Sequence, residues 1–174
     1  CTNVPENPAR NFHEALQTVI FVQIFIYLEM RGDGVSPGRA DQYLYPLYKK
    51  DMDAGIIDKE KAIELLQCFR IKFNTFRQLA SKRFFLGTSG EAQFHNITLG
   101  GTDAKGNSAV NELSYLFLEA ALQLQTPHPT LSVRYFDDIP ADFMDLAIQV
   151  VAQGGGYPAF FNDKNCIPCL EGYG

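Results

Sequence analysis

The sequence predicts an α/β fold in which three short strands alternate with longer helices. The stretches "ITL", "TLSVRYF" and "YPAFFND" are apolar runs with β-branched or aromatic residues, and they predict the strands. Helical periodicity precedes the first run and follows the first and second runs. Because strands that alternate with helices are typical of parallel βαβ units, we expect a parallel sheet with ligands near the carboxyl ends of its strands. Those ends are residues 99–101, 135–136 and 161–163.

The first predicted helix covers residues 9–30, with Asn7 as its N-cap and Pro8 in its first turn. Between residues 19 and 28 it is apolar nearly all round, which is typical of a helix that is buried on most sides. The apolar run is shorter than the roughly 20 residues that cross a bilayer, so no membrane span is predicted. The glycines and the proline of "RGDGVSPG" end this helix.

Two further helices are predicted in the middle of the chain. The second covers residues 39–54 with an interruption at Pro46, and the third is capped by Asp58 and covers residues 59–80. The apolar residues of the third helix recur at roughly helical spacing and are Ile63, Leu66, Phe69, Ile71, Phe73 and Phe76. Residues 86–96 are predicted to form a loop.

Two helices are predicted in the second half of the chain. A turn over residues 102–107 precedes the fourth helix, which covers residues 109–125 and is capped by Asn107 or Ser108. The fifth helix covers residues 139–154 and connects the second and third strands. The order of elements is therefore that of two βαβ units that share a strand.

The composition is that of one globular domain, with 174 residues of which 46% are hydrophobic and 20% charged. A net charge of −5 argues against a nucleic-acid partner, because such binders usually present a basic stripe. No signal peptide is recognised, and four cysteines are too few for a disulfide scaffold, so a cytoplasmic protein is predicted. The chain begins at "CTNVPENP" without Met and ends within "EGYG", which favours a piece of a longer protein.

Local motifs leave the chemistry open. "GTDAKGN" lacks the spacing of a phosphate-binding loop and is interpreted as a turn. Cys166 and Cys169 form a CxxC motif, interpreted as two small buried side chains on a helix, with a redox pair or a zinc module as the alternative. The histidines His13, His95 and His128 are scattered, so no metal site is predicted. The residue patterns alone lead to a cytoplasmic α/β domain with a pocket at its strand ends.

One long segment, "SPGRADQYLYPLYKKDMDAG", combines prolines, glycines, tyrosines and charged residues in an unusual mixture. It is followed in order by "ELLQCFRIKFN", "FHNITLGGTDAKGNSAVNELSYLFLEA", "PHPTLSVRY" and "GGGYPAFFNDKNCIP". Together these segments resemble the motifs of the glycyl radical enzymes, the superfamily of pyruvate formate-lyase. The resemblance covers nearly the whole chain, and it is closest to the glycerol and choline lyase branch, followed by the aryl decarboxylases.

The resemblance implies part of a ten-stranded α/β barrel that surrounds two loops. In that family one loop carries the catalytic cysteine in GCxE and the other carries the radical glycine in RVxGY, and neither motif occurs in this sequence. Residues 1–174 are therefore expected to be an internal segment of a single barrel domain, without a catalytic residue and inactive alone. No bound cofactor is expected, because the glycyl radical would lie outside the segment and be installed by a radical SAM iron–sulfur activating enzyme.

The resemblance also implies four substrate-binding residues. Ser36 matches the serine that reaches the substrate's polar group in dehydratase and decarboxylase relatives, and Phe94 matches an aromatic residue that lines the pocket. His95 and Asn96 are their neighbours, and His95 departs from the Gln that is frequent in the family. A structural set is expected to combine a buried Arg–Asp pair with tyrosine hydroxyl hydrogen bonds, and it consists of Arg39, Asp41, Gln42, Tyr43 and Tyr45.

The implied function is hydrogen abstraction by a thiyl radical from a small polar organic substrate, followed by dehydration or cleavage of a C–X or C–C bond. The implied enzyme is an anaerobic, formate acetyltransferase-like lyase or dehydratase. The alternatives are an aryl decarboxylase, a fumarate-adding synthase, and a non-catalytic α/β binding domain. The expected partners are the activating enzyme, the substrate and a second copy in a homodimer, whereas nucleic acid and membranes are not expected.

Overall fold

The computed structural model describes residues 3–29, 35–76, 82–87 and 95–173 of the chain. The described residues form eight helices and three strands. The helices are α1 (Phe12–Glu29), α2 (Ala40–Tyr43), α3 (Tyr45–Asp53), α4 (Lys59–Phe73), α5 (Lys82–Gly87), α6 (Glu112–Gln123), α7 (Ala141–Ala152) and α8 (Asp163–Glu171). The strands are β1 (Asn96–Gly100), β2 (Thr130–Tyr135) and β3 (Ala159–Asn162).

The three strands form one parallel sheet in the order β1-β2-β3, as the sequence predicts. In register, Thr98 pairs with Ser132 and Ser132 pairs with Ala159. Because successive side chains of a strand point to opposite faces, the sheet has two distinct faces. One face is apolar, and its members in β1 and β2, Ile97, Leu99, Leu131 and Val133, are all 0% exposed. Phe160 of β3 pairs with Val133 on this face and is 40% exposed.

The hydrophobic core joins this apolar face to the helices. The core cluster contains residues of α1, α3, α4, α6 and α7 together with β1 and β2. Its fully buried large side chains include Phe12, Phe73, Phe117, Phe143, Leu44, Leu66, Leu113 and Leu118. Burial of such side chains is the main source of stability. Because the buried side chains of the helices pack on the apolar face, the helices stabilise the sheet from that side.

Two buried polar side chains fasten helices across the fold. Asp51 in α3 accepts a hydrogen bond from the backbone N–H of Phe12 at 2.7 Å, so it caps α1 from another element. Arg70 in α4 donates to the carbonyl of Pro129 at 3.2 Å and to the hydroxyl of Tyr157 at 2.9 Å. The buried guanidinium thereby ties α4 to the segments that enter β2 and β3.

The fourth predicted helix begins later than the sequence suggested. Its N-cap is Asn111, not Asn107 or Ser108. The Asn111 side chain accepts from the backbone N–H of Ser114, and the Ser114 hydroxyl accepts from the N–H of Asn111, which completes a capping box. Asn107 instead donates its N–H to the side chain of Asp103 at 2.9 Å, which closes the predicted turn.

The second and third predicted helices are shorter than expected. The second is divided into α2 and α3 at Leu44, because Pro46 has no N–H to donate to a carbonyl of the preceding turn. The third ends at Phe73, where Asn74 donates to the carbonyl of Arg70 and begins a turn. Ile71, predicted on its apolar face, is 47% exposed, because residues two apart lie on different sides of a helix.

Two other predictions are corrected at either end of the sheet. The predicted loop over residues 86–96 overlaps α5 at its start and β1 at its end, and its residues 88–94 lie outside the described residues. Cys166 and Cys169 lie on a helix, α8, as predicted, but they are not buried: Cys169 is exposed and Cys166 is partly exposed. The interpretation as two buried core side chains is therefore wrong for the described structure.

Candidate functional site

The second face of the sheet is polar in its amino-terminal half. We call the side chains of Asn96, Thr98, Thr130 and Ser132 the polar face. Asn96 is at its centre, because its Nδ2 donates to Thr130 Oγ1 at 3.0 Å and to Ser132 Oγ at 2.9 Å. Thr130 Oγ1 in turn donates to the carbonyl of His95 at 3.1 Å. These bonds hold the Asn96 amide in one orientation.

Ser36 lies beside the polar face, although it is distant from β1 in the sequence. The backbone N–H of Asn96 donates to Ser36 Oγ at 3.2 Å. Gly38 forms a parallel bridge with Ile97, and its carbonyl accepts from the N–H of Thr98 at 2.8 Å. A serine hydroxyl has one O–H and two lone pairs, and Asn96 engages only a lone pair. The exposed Ser36 therefore retains its O–H as a donor, since no described residue accepts from it.

His95 lies on the covered side of the sheet and is 0% exposed. Its ring packs against Phe73 and Phe76 with centroid distances of 5.0 and 5.8 Å. Burial lowers the pKa of His95, so the ring is neutral at pH 7. Nδ1 lies 3.1 Å from the carbonyl of Val35, and because a carbonyl can only accept, Nδ1 carries the hydrogen. The geometry favours an indirect role for His95 over contact with a substrate.

The structure thus brings together three of the four predicted site residues. Ser36, His95 and Asn96 are neighbours, whereas Phe94 lies outside the described residues. Thr130 and Ser132 were missed, although their alternation with apolar residues in "TLSVRY" is the pattern of a strand with one polar face.

The carboxyl end of the sheet, where ligands were expected, is occupied by an ion pair. Arg134 at the end of β2 donates to Asp163 Oδ1 from Nε at 2.6 Å and to Oδ2 from Nη2 at 2.8 Å. Asp163 Oδ2 also accepts from the backbone N–H of Thr102 at 3.1 Å and from its hydroxyl at 3.2 Å. The carboxylate is 6% exposed and the guanidinium 18% exposed. These groups bind one another, which favours a structural role for this end.

Two consecutive glycines make this arrangement feasible. Gly100 and Gly101 have φ angles of 68° and 80°, which side chains rarely adopt. A Cβ on Gly101 would lie 2.6 Å from Arg134 Nε, so the guanidinium packs directly on the Gly101 backbone. The "GG" pair is therefore needed for the turn and for the close approach of Arg134.

Arg39 and Asp41, which the sequence predicts to pair, each form a hydrogen bond with the backbone of Gly100 instead. Arg39 Nη2 donates to the carbonyl of Gly100 at 2.8 Å, and Asp41 Oδ2 accepts from the N–H of Gly100 at 2.7 Å. Asp41 Oδ2 also accepts from the hydroxyl of Ser114 at 2.6 Å. Burial raises the pKa of Asp41, and the bonds from Gly100 and Ser114 oppose that rise.

The other three residues of the structural set are accounted for as follows. Gln42 donates to the carbonyl of Ala109 at 2.8 Å, and the Tyr43 hydroxyl donates to the carbonyl of Pro37 at 3.1 Å. Tyr45 packs on Tyr48 with ring centroids 6.0 Å apart. These contacts connect the segment after Ser36 to its surroundings, so the set is structural, as expected, although its internal pairing differs.

Other features of the described residues do not coincide with the polar face. A cavity of about 580 Å³ between α1 and α4 is lined mainly by apolar side chains, among them Leu16, Ile20 and Phe69. In the described part of the chain, no cluster of three or more His, Cys, Asp or Glu residues could hold a metal ion. Across the same residues, we find no helix with the length and apolar character that crossing a membrane requires.

Comparison with known families decides the relationship of the chain. Residues 1–174 match the protein family "Pyruvate formate lyase-like". The chain belongs to this family of glycyl radical enzymes. The resemblance that the five ordered segments predict is thereby confirmed.

Relatives of this pyruvate formate lyase-like chain catalyse different reactions. The isethionate sulfite-lyase of Bilophila wadsworthia is 38% identical over 168 residues, which are 95% of this chain and 20% of that protein. The 4-hydroxyphenylacetate decarboxylase glycyl radical subunit of Clostridium scatologenes is 39% identical over 162 residues, or 93% of this chain and 18% of that protein. The chain spans about a fifth of the length of the curated relatives that it matches.

A solved structure confirms the fold class. The protein from Roseburia inulinivorans described for 1,2-propanediol dehydration is similar with a TM-score of 0.95 and 36% identity. The match covers 100% of this pyruvate formate lyase-like chain and 22% of the other chain. The three-stranded parallel sheet with its helices is thus part of the glycyl radical enzyme fold.

Proposed function

We propose that the chain is an internal segment of a glycyl radical enzyme that abstracts hydrogen from a small polar organic substrate. The reaction would end in dehydration or in cleavage of a C–X or C–C bond. Membership of the family and the named lyase and dehydration relatives support this proposal. The single observation that carries the site is the Ser36 hydroxyl, which is exposed and held by Asn96 while its O–H stays available.

The chemistry around Ser36 favours a substrate with an acceptor oxygen. Since Asn96 occupies a lone pair of the Ser36 hydroxyl, its O–H is the part left for a ligand. The polar face beside it carries amide and hydroxyl groups and no charged side chain. Isethionate and propane-1,2-diol, named for two relatives, both present a hydroxyl oxygen that could accept such a bond.

The radical machinery is part of the proposal. The thiyl cysteine and the radical glycine would lie in parts of the polypeptide outside these residues, and a radical SAM iron–sulfur activating enzyme would install the radical. The residues of this chain would bind and orient the substrate and exclude competing reactants. A homodimer in an anaerobic cytoplasm completes the proposal.

Decarboxylation of an aromatic acid is the second candidate. The observation that favours it is the 39% identity with the 4-hydroxyphenylacetate decarboxylase subunit. The phenol hydroxyl or the carboxylate of such a substrate would also accept from Ser36. Assays of the full-length, activated enzyme with isethionate, propane-1,2-diol and 4-hydroxyphenylacetate would separate the two candidates.

The first experiment is to sequence the coding region beyond the codon for Gly174. We expect a GCxE motif within a few tens of codons and an RVxGY motif further on. Their joint absence would contradict the enzymatic proposal and favour a binding domain that retains the fold.

The second experiment replaces Ser36 by Ala in the full-length enzyme. We expect kcat/KM to fall about tenfold or more with the fold intact, because one hydrogen bond to a polar substrate is lost. Ser108→Ala is the matched control, since Ser108 is exposed in the turn before α6 and forms a bridge with Thr102. Unchanged kinetics of Ser36→Ala would contradict the proposed site.

A further inference from the structure

Two hydrogen bonds join the segment of Ser36 to the start of β1, and they come from adjacent residues. Asn96 donates its backbone N–H to Ser36 Oγ at 3.2 Å. His95 donates from Nδ1 to the carbonyl of Val35 at 3.1 Å. The acceptor of the first bond is the Ser36 hydroxyl itself, whereas the acceptor of the second is the backbone carbonyl of the preceding residue, Val35.

The bond from His95 controls the backbone at Ser36. The carbonyl of Val35 and the amide nitrogen of Ser36 belong to the same planar peptide unit. Fixing the oxygen of that plane therefore fixes the direction in which the chain enters Ser36. On the other side, the N–H of Thr98 holds the carbonyl of Gly38 at 2.8 Å. On that same side, the Tyr43 hydroxyl holds the carbonyl of Pro37 at 3.1 Å. Among the described residues, His95 is therefore the one whose side chain anchors the backbone on the amino-terminal side of Ser36.

The surroundings of His95 allow this one polar contact and little else. The ring is 0% exposed and packs against Phe73 and Phe76. Its other nitrogen, Nε2, is buried and has no hydrogen-bond partner among the described residues. If the ring served only for packing, a buried imidazole with one hydrogen bond would be less stable than an apolar ring of similar size, because the apolar ring has no nitrogen that is buried without a hydrogen bond. The contact with Val35 is what distinguishes histidine at this position.

We propose that His95 is a positioning residue that holds the Ser36 hydroxyl in place through the carbonyl of Val35. The inference rests on the proposed contact of Ser36 with the substrate. It assigns His95 a role behind the substrate pocket, and the ring itself never touches the substrate. The role requires a donor at the position of Nδ1 and does not require a charge.

The test uses the full-length, activated enzyme and whichever of isethionate, propane-1,2-diol or 4-hydroxyphenylacetate it converts. His95→Leu removes the donor, whereas His95→Asn keeps an amide nitrogen at the position of Nδ1. We expect kcat/KM to fall about tenfold for His95→Leu and less than about threefold for His95→Asn, since only Asn still donates to Val35. His13→Leu is the matched control, because His13 is exposed on α1, and it is expected to behave as wild type.

A double-mutant cycle separates positioning from general damage to the fold. If His95 acts through Ser36, then His95→Leu changes kcat/KM less than about twofold in a Ser36→Ala background. Equal losses in both backgrounds, or a loss for His95→Asn as large as for His95→Leu, would overturn the positioning role while leaving the role of Ser36 intact. A Ser36→Ala enzyme with wild-type kinetics would overturn the proposed site and this inference with it.

A second variant covers the case in which His95→Leu does not fold. His95→Phe restores an aromatic ring next to Phe73 and Phe76 but has no donor. Circular dichroism at the assay temperature verifies folding for each variant. We expect the same tenfold loss of kcat/KM for His95→Phe, about equal to that of His95→Leu. Wild-type kinetics for folded His95→Phe would overturn the inference.

Discussion

The two ends of the three-stranded sheet differ in their chemistry. At the carboxyl end, the buried charges of Arg134 and Asp163 are joined by two hydrogen bonds, and Thr102 supplies two more. At the amino end, the groups around Asn96 are neutral hydroxyls and an amide, and no residue in the described part of the chain accepts from the Ser36 hydroxyl. Buried charges must be compensated within the protein, whereas a neutral hydroxyl can remain available to a ligand at small cost.

This difference shows which end suits a binding site. The general tendency of parallel sheets to bind ligands beyond the carboxyl ends of their strands predicts a pocket near Gly100, Tyr135 and Asn162. In the described structure the carboxylate of Asp163 at that end already accepts hydrogen bonds from Arg134 and Thr102. The amino end is therefore the better candidate, and three of the four residues implied by the family resemblance are found there.

The largest expected effect is the loss of the buried charge at the carboxyl end. Asp163→Asn leaves Arg134 without its counter-ion, and we expect the free energy of unfolding of the full-length protein to fall by about 3 kcal/mol. Chemical denaturation followed by circular dichroism measures this change.

The control for this prediction is an exposed pair formed between Lys164 of α8 and Asp137, which follows β2. Lys164 and Asp137 are 3.7 Å apart, and both side chains are 74% exposed. Asp137→Asn should therefore cost less than about 1 kcal/mol. Equal losses of stability for Asp163→Asn and Asp137→Asn would show that the buried ion pair at the carboxyl end stabilises the fold no more than an exposed pair does.

An intermediate effect is expected for the glycine turn beneath the ion pair. Gly101→Ala introduces a Cβ only 2.6 Å from Arg134 Nε at a φ of 80°. Gly106→Ala has a φ of 83° but no atom within 4 Å of its Cβ, so it measures the backbone strain alone. We expect a loss of about 1–2 kcal/mol for Gly106→Ala and clearly more for Gly101→Ala. If thermal unfolding gave equal losses, the close packing of Arg134 on Gly101 would be refuted.

The smallest effect is expected at the neutral amino end. Thr130→Val removes the acceptor for Asn96 Nδ2 and the donor to the carbonyl of His95, and should cost about 1–2 kcal/mol. Thr98→Val on the same face removes only a contact of 3.5 Å with Asn96 and should change stability by less than about 0.5 kcal/mol. A loss for Thr130→Val that matches Asp163→Asn would remove the contrast between the two ends.

Much of the local structure follows from patterns that a single segment carries. The cap at Asp58, the interruption at Pro46 and the turn closed by Asp103 depend on residues within a few positions of one another. The start of α6 was misplaced because Asn107, Ser108 and Asn111 are all good N-caps, and only Asn111 is matched by a serine three residues later. The exposure of Cys169 was unpredictable for another reason, since it depends on which elements cover α8.

By itself the sequence determined the α/β class, the parallel arrangement of the strands and, through the ordered segments that begin at Ser36, the family. These properties depend on local periodicity and on the order of motifs along the chain. Only the tertiary structure decided that Asp41 binds Gly100 and not Arg39, and that His95 faces the core while Asn96 joins the polar face. Those contacts connect residues about 60 positions apart, and a one-residue change of strand register would exchange the two faces. Partners at such separations are selected by the packing of the whole fold.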